Sequence, residues 1–315
     1  MWSVLKFSVI MIKKITIASR KSPLAMWQAK FIQTCLSNLY PDITFSIKGF
    51  KTQGDTILNK SLATIGGKGL FIKELEEALL NKDADLAVHS MKDLPMHLME
   101  EFQLAAITKR EDPRDAFISK AYSSFDDLPI GSIVGTSSLR RQSQIKAKYP
   151  HLKIKPLRGN LQTRLDKLKK GDYAAIILAA AGLIRLGLKD EITMYLETNI
   201  SIPAVGQGAL GIEILSGNEE LHTLIKPLND EDSARCVLAE RTVSRSLSGS
   251  CTAPLGAYAY IKNENLIING FVASPDGNHL IHAETKGNKK QFYSLGESLS
   301  QLLIDQGAKD LLSNL

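Results

Sequence analysis

Cationic side chains recur just past the predicted β-strands of this chain. Arg20 follows a strand predicted over Ile15 to Ser19, and Arg140 and Arg141 follow one over Ser132 to Thr136. Arg158 ends the strand that begins at Lys153, Arg164 lies in the first turn of the next helix, and Arg185 sits on the helix after Tyr173 to Leu178. The carboxyl ends of strands in a doubly wound sheet are where ligands bind. A cation in a helix's first turn opposes the macrodipole, so Arg140, Arg141 and Arg164 are misplaced if helix stability is their only task. An anion docked on those helix N-termini and guanidiniums together removes the conflict. Taken singly, each arginine reads as a solvated surface charge. Their recurrence after several strands points to a site for phosphate or several carboxylates.

The run Val88 to Pro95 (VHSMKDLP) lies at the carboxyl end of a strand predicted over Asp85 to His89, so Lys92 and Asp93 should face the same cleft. A carboxylate among cations stays ionised and can stabilise a developing positive charge. On spacing alone the pair reads equally as a turn Asp beside a Lys, and His89 as a packed or supporting histidine. Cys251 occupies a small-residue turn, Ser248 to Pro254 (SGSCTAP), where a thiol is open to a large group. Cys35 and Cys236 lie within predicted helices and read as inert buried thiols. Two phosphate-loop look-alikes fail. Around Gly66 to Gly69, Leu62 stands where the first P-loop glycine belongs and Gly69 where Ser or Thr would hold magnesium. Gly206, Gly208 and Gly211 match GxGxxG but precede an apolar β-like run instead of opening a helix, which argues against a dinucleotide site.

Positioning such residues takes several compact units, since 315 residues exceed what one hydrophobic core ordinarily serves. Short β-rich runs alternate with longer amphipathic ones, the signature of parallel sheets with crossover helices. Ser22 and Pro23 supply a cap and first-turn proline for a helix to about Leu39; Ile43 to Lys51 reads as a strand and Phe71 to Asn81 as a helix. Lys109 to Asp115 (KREDPRD) reads as a linker to a second βα lobe. Ser201 to Gly211 reads as a return linker, with Ile212 to Leu215 as a strand going back to the first lobe. Two crossings between two lobes is hinge architecture. From Glu231 the order becomes a helix, three strands near Gly256 to Ile261, Leu266 to Ala273 and His279 to Thr285, and a last helix. The expected fold is α/β, two hinged doubly wound lobes plus a small α+β C-terminal domain. The expected boundaries are an N-terminal extension at 1–10 with Met11 as the true start, a first domain at 11–108 with 209–228, a second at 114–203 and a third at 229–315.

Formal charge is +6, from 39 Lys and Arg against 33 Asp and Glu, spread along the chain. With 6% aromatic residues and no basic stripe, this disfavours a nucleic-acid partner. The longest apolar stretches fall short of the ~20 residues of a membrane span. Three widely spaced cysteines without a CxxC disfavour a disulfide framework or a zinc site and fit a reducing, cytoplasmic compartment.

Eight blocks, in order, resemble the porphobilinogen deaminase family: SRKSPLAMWQ from Ser19, GGKGLFIKELE from Gly66, VHSMKDLP from Val88, REDPRDAF from Arg110, GTSSLRRQ from Gly135, LRGNLQTR from Leu157, IILAAAGLIRLG from Ile176 and PAVGQGALGIE from Pro203. The resemblance runs from about Lys14 to the C-terminus. It implies lobes like those of type II periplasmic binding proteins and a third domain whose Cys251 holds dipyrromethane as a thioether. It also implies stepwise condensation of four porphobilinogen molecules, with loss of ammonia, on that primer, then hydrolytic release of hydroxymethylbilane. Asp93 would be the catalytic carboxylate. Lys92, Thr136, Ser138, Arg140, Arg141 and Arg158 would hold the cofactor with Asp93, and Arg20, Ser22, Arg164 and Arg185 the substrate and growing chain. Lys68 and Phe71 would lie on a mobile loop. A monomer without metal, membrane or nucleic-acid partner is implied. The competing class is a hinged two-lobe anion-binding protein without catalysis, which leaves Cys251 and the third domain without a role. Thr252 and Ala253 depart from the bulkier residues many members carry, and the first ten residues have no counterpart.

Overall fold

The first βα turn shows how local sequence sets the architecture. The Ser22 hydroxyl accepts from the Ala25 N–H at 3.3 Å, and Pro23 follows where no N–H is needed. Helix α1 (Pro23–Leu39) therefore starts directly after β1 (Lys14–Arg20) and turns Gln28, Ala29, Ile32 and Leu36 inward, the stripe of an amphipathic helix. The computed structural model describes residues 12–52, 72–247 and 253–313. Residues 1–10, Lys68, Phe71 and Cys251 lie outside the described residues.

The strands continue as β2 (Thr44–Phe50), β3 (Leu86–Ser90), β4 (Phe102–Ile107), β5 (Asp115–Ile118), β6 (Ile133–Gly135), β7 (Lys153–Lys155), β8 (Ala175–Ala179), β9 (Met194–Leu196), β10 (Leu210–Leu215), β11 (Leu255–Lys262), β12 (Asn265–Ala273) and β13 (Leu280–Asn288). After α1 the helices are α2 (Lys73–Leu80), α3 (Leu139–Lys148), α4 (Leu161–Lys169), α5 (Ala180–Arg185), α6 (Glu219–Ile225), α7 (Glu231–Ser246), α8 (Phe292–Asp305) and α9 (Ala308–Ser313).

Two five-stranded sheets repeat one pattern. The first runs β2-β1-β3-β10-β4 and the second β7-β6-β8-β5-β9. In each, three parallel strands stand in the order second, first, third. The strand beside them is antiparallel and is the one entering from the other lobe: β5 after the crossing at 108–114, β10 after the crossing at 197–209. The return of Ile212 to Leu215 into the first sheet is thus observed as β10.

Strands β4, β5 and β9 did not stand out in the sequence. All four residues of β5 are buried, so DAFI lacks the alternation that marks a half-buried strand. The linker read at Lys109 to Asp115 is the crossing at 108–114 except at its end, where Asp115 opens β5 and is fully buried.

The GxGxxG run has a packing role. Gly208, at φ +93°, takes a hydrogen bond from the Glu111 N–H at 3.1 Å, and a Cβ there would lie 2.4 Å from the Glu111 carbonyl oxygen. The two crossings touch backbone to backbone where only glycine fits.

The third unit is the meander β11-β12-β13 backed by α7, α8 and α9. Ala239, Val243, Leu266, Ile268, Leu299 and Leu303 form its core, and Val205 of the second crossing packs into it. Glu240 of α7, wholly buried, fastens both crossings to this unit. It is chelated by Arg110 of the first crossing and accepts the N–H of Gly206 of the second at 2.7 Å and of Ala259 on β11 at 2.8 Å.

Candidate active site

Helix α3 begins at the carboxyl end of β6, with the Ser138 side chain capping the Arg141 N–H at 3.4 Å. That cap brings Arg140 and Arg141 into the first turn, where both side chains are buried. Both guanidiniums converge on Asp115. Arg140 donates to its two oxygens at 3.1 and 2.8 Å, and Arg141 to Oδ1 at 3.0 and 2.7 Å. Ser201 Oγ donates to Oδ2 at 2.8 Å and Gln207 Nε2 to Oδ1 at 3.0 Å. Burial pushes the Asp115 carboxyl up, but Arg140 and Arg141 outweigh it and hold the group well below the usual carboxylate range. The macrodipole conflict is therefore met first by an internal carboxylate, which corrects the inference that an external anion alone resolves it. Two cations facing one anion still leave one positive charge.

Lys92 and Asp93 stand in the turn after β3, fixed by the Asp93 N–H on the Ser90 carbonyl at 2.9 Å. Asp93 is exposed. The Lys92 ammonium is lowered to about 8, chiefly by burial, with Arg141 and Arg140 adding and Asp93 and Asp115 opposing. These groups line a cavity of about 170 Å³ with Ser138, Arg140, Arg141 and Gln207. Ala253, two residues after Cys251, and Leu255 complete one wall. A larger cavity of about 630 Å³ lies between Lys148, Ile200 and the third-unit residues Tyr260 and Phe271; it contains neither Asp93 nor any strand-end arginine.

The remaining cations sit around this centre. Burial lowers Arg164 to about 10, Arg141 and Arg158 add to the effect, and Asp93 opposes it. Its Nε donates to the Gly159 carbonyl at 2.8 Å, and Arg158, expected to end its strand, is half-buried in the loop that follows β7. Arg20 is half-buried at the end of β1 and Ser22 caps α1. Thr136 is buried, its hydroxyl accepting the Ser138 N–H at 3.2 Å. Arg185 stands apart from the cavity. It donates to the Gly208 carbonyl at 2.6 Å and lies 5.9 Å from the Trp27 ring, tying the second lobe to the crossing and to the first lobe. Cys236 is buried and its thiol pushed up to about 12 by desolvation, the state of an inert thiol.

Sequence reasoning missed Asp115, Ser201 and Gln207. The one signal for Asp115 was an acid opening a wholly apolar run, a position that demands cationic partners. Among the described residues no group of three His, Cys, Asp or Glu could hold a metal ion, and no helix is long and apolar enough to cross a membrane.

A two-lobe α/β protein with paired crossings, whose cleft gathers guanidiniums and an ammonium around one exposed carboxylate, is built to handle polycarboxylates. The family model described as "Porphobilinogen deaminase, dipyromethane cofactor binding domain" matches residues 15–223, and "Porphobilinogen deaminase, C-terminal domain" matches 234–305. Porphobilinogen deaminases of Laribacter hongkongensis and Thiobacillus denitrificans are 56% and 55% identical, covering 95% and 96% of this chain and 97% and 98% of theirs. This chain belongs to the porphobilinogen deaminase family. Among solved structures, the methionine-binding protein MetQ is similar at a TM-score of 0.45 and 13% identity, over 70% of this chain and 92% of that one. A periplasmic substrate-binding protein of an ABC transporter from Coxiella burnetii scores 0.43 at 12% identity, over 68% and 91%.

Proposed function

We propose that Asp93 is the catalytic carboxylate of this porphobilinogen deaminase, with Lys92, Ser138, Arg140 and Arg141 as the anion-binding wall around it. The observation that carries the reading is the placement of an exposed carboxylate in a cavity whose other charged lining residues, Lys92, Arg140 and Arg141, are all cations. The family's reaction joins four porphobilinogen molecules head to tail with loss of ammonia and releases hydroxymethylbilane by hydrolysis.

The residues fit the dipyrromethane cofactor. Its acetate and propionate groups need cations, and the excess charge of Arg140 and Arg141 over Asp115 supplies one beside Lys92. Ala253, on the cavity wall, follows two residues after Cys251 in the sequence, and Cys251 is the residue we assign to the thioether. When bound, dipyrromethane supplies a free pyrrole α-carbon for the first condensation. The protein's own work is electrostatic. As the substrate's aminomethyl group leaves as ammonia, positive charge develops on its pyrrole nitrogen, and Asp93 offsets that charge. Arg140, Arg141, Arg158 and Arg164 neutralise carboxylates, while Arg20 and Ser22 hold the incoming ring from the first lobe. Thr136 supports this wall by orienting Ser138, and Arg185 acts at the crossing. Lys68 and Phe71 are assigned to a loop near the cleft mouth. We assign residues 11–108 with 209–228, 114–203 and 229–315 to the three domains, and the chain to the cytoplasm as a monomer.

The test is intact-mass measurement followed by addition of porphobilinogen. Wild type carries the dipyrromethane mass and releases ammonia. Cys251→Ser lacks the added mass, whereas Cys35→Ser and Cys236→Ser keep it. Asp93→Asn keeps the mass but loses ammonia on the order of 10² to 10³ more slowly, about 3 to 4 kcal/mol of barrier. Equal single-turnover rates for Asp93→Asn and wild type would remove Asp93 from the chemistry.

A further inference from the structure

Asp115 occupies the last step of one crossing and touches the other at two points. Its carboxylate opens β5 immediately after residues 108–114, and it accepts from Ser201 and Gln207, both within 197–209. On its other side it holds Arg140 and Arg141. The second crossing meets Arg140 again at Ile202, whose carbonyl accepts from Arg140 Nη1 and whose N–H donates to Gln144 at 2.7 Å. Gln144 in turn donates to the Arg140 carbonyl at 3.0 Å. Every element of this knot is buried, with Asp115 and Gln207 at 0% exposure and Ser201 at 5%. Displacing the crossing in such a site means breaking charge-assisted hydrogen bonds out of reach of water, so the crossing and the guanidiniums move together or not at all.

We infer that Asp115 is the positioning residue that couples hinge movement to the carboxylate grip of Arg140 and Arg141. The inference rests on the deaminase reading for what the arginines grip, while the coupling itself is a property of the buried hydrogen bonds. Asp115 turns no substrate over and faces no reacting atom. It sets where the two guanidiniums point, and it leaves the pair one net positive charge, enough to attract a ligand carboxylate. Cations without an internal anion would repel one another at this spacing. As successive rings are added the two lobes must shift, and this carboxylate passes the shift of the crossing to the residues that hold the chain.

Asn at this position predicts a selective defect. Its carbonyl oxygen can keep the bonds that Oδ1 takes from Arg141 and the longer one from Arg140, but its NH₂ faces Arg140 with donor against donor, and the Ser201 hydroxyl must turn from donor to acceptor. The experiment is arginine labelling by phenylglyoxal with peptide mass spectrometry, in a Cys251→Ser background so that all samples lack the cofactor. Asp115→Asn should raise Arg140 labelling about tenfold, the scale of a lost charge-assisted hydrogen bond. Ser201→Ala touches neither arginine and removes one bond from the crossing, so it should raise Arg140 labelling by about twofold. Arg158 and Arg164 serve as internal references and should not change in either variant. Unchanged Arg140 labelling in both variants overturns the coupling. A rise of equal size at Arg158 and Arg164 also overturns it, because general loosening of the fold would then account for the effect. Since no porphobilinogen or dipyrromethane enters this measurement, failure of the deaminase reading would show separately, as wild-type protein without the added mass and without ammonia release.

Discussion

Corresponding strands of the two lobes each bury a carboxylate, and the lobes neutralise it by different means. In the second lobe Asp115, on β5, is met by two arginines. In the first, Glu213 on β10 is hydrogen-bonded to His89 on β3 at 2.9 Å, and Glu76 of α2 lies close enough to repel it. One cluster is cationic and cannot lose its protons, because guanidinium stays charged throughout the usable pH range. The other is acidic, with Glu76 raised to about 7 by burial first and by Glu213, and with His89 opposing. The same structural position thus carries an excess of cations in one lobe and an excess of carboxylates in the other.

Four variants would break or sharpen this contrast. His89→Leu leaves Glu213, at 0% exposure, without its partner, and should cost about 3 kcal/mol of unfolding free energy in a denaturant titration. The folded fraction should turn over normally; a lost kcat at unchanged stability would place the acidic cluster in the chemistry. Arg140→Leu should show the reverse, staying folded because Arg141 still neutralises Asp115. Its turnover or primer loading should fall by on the order of 10², about 2.7 kcal/mol of barrier, in a single-turnover assay.

Glu76→Gln tests the titratable side. A carboxyl raised from its unfolded value of 4.5 to about 7 binds its proton more tightly in the folded state. Its contribution is complete below about 4.5 and is lost as pH climbs through about 7. Wild type should therefore lose on the order of 1 kcal/mol across that window, a figure discounted for screening, and Glu76→Gln should lose none of it. A flat wild-type melting profile from pH 5 to 8 would dismiss the raised Glu76 carboxyl. The smallest effect belongs to a surface pair used as a control. Lys169→Ala removes a contact to Glu191 at 2.9 Å, both partners being partly exposed, and should change stability by less than about 0.5 kcal/mol.

Local signals were legible in the sequence. Ser22 and Pro23 announced α1, the βα alternation announced both lobes, and the arginines past strand ends marked the cleft side of the second lobe. Long-range pairing was not. Asp115 lies 86 and 92 residues from Ser201 and Gln207, and no periodicity links such positions. The charged look of KREDPRD hid a buried acid because composition describes a segment's average, while burial is decided residue by residue. Arg185 shows the same limit. Its strand-end position was read correctly, but the partner it reaches is a carbonyl in the crossing, which carries no side-chain signature.

Glu240 has a consequence for how the chain is made. Its partner Arg110 precedes it by 130 residues, and the Gly206 amide also waits for it. During synthesis both crossings are made before α7, so they are complete before the carboxylate that fastens them has been added to the chain. A nascent chain arrested before α7 would hold two folded lobes with a cationic, unfastened waist. The third domain is thus the last part assembled and the part that converts two tethered lobes into one hinged machine, which makes premature termination near the C-terminus costly even where the cleft residues are all present.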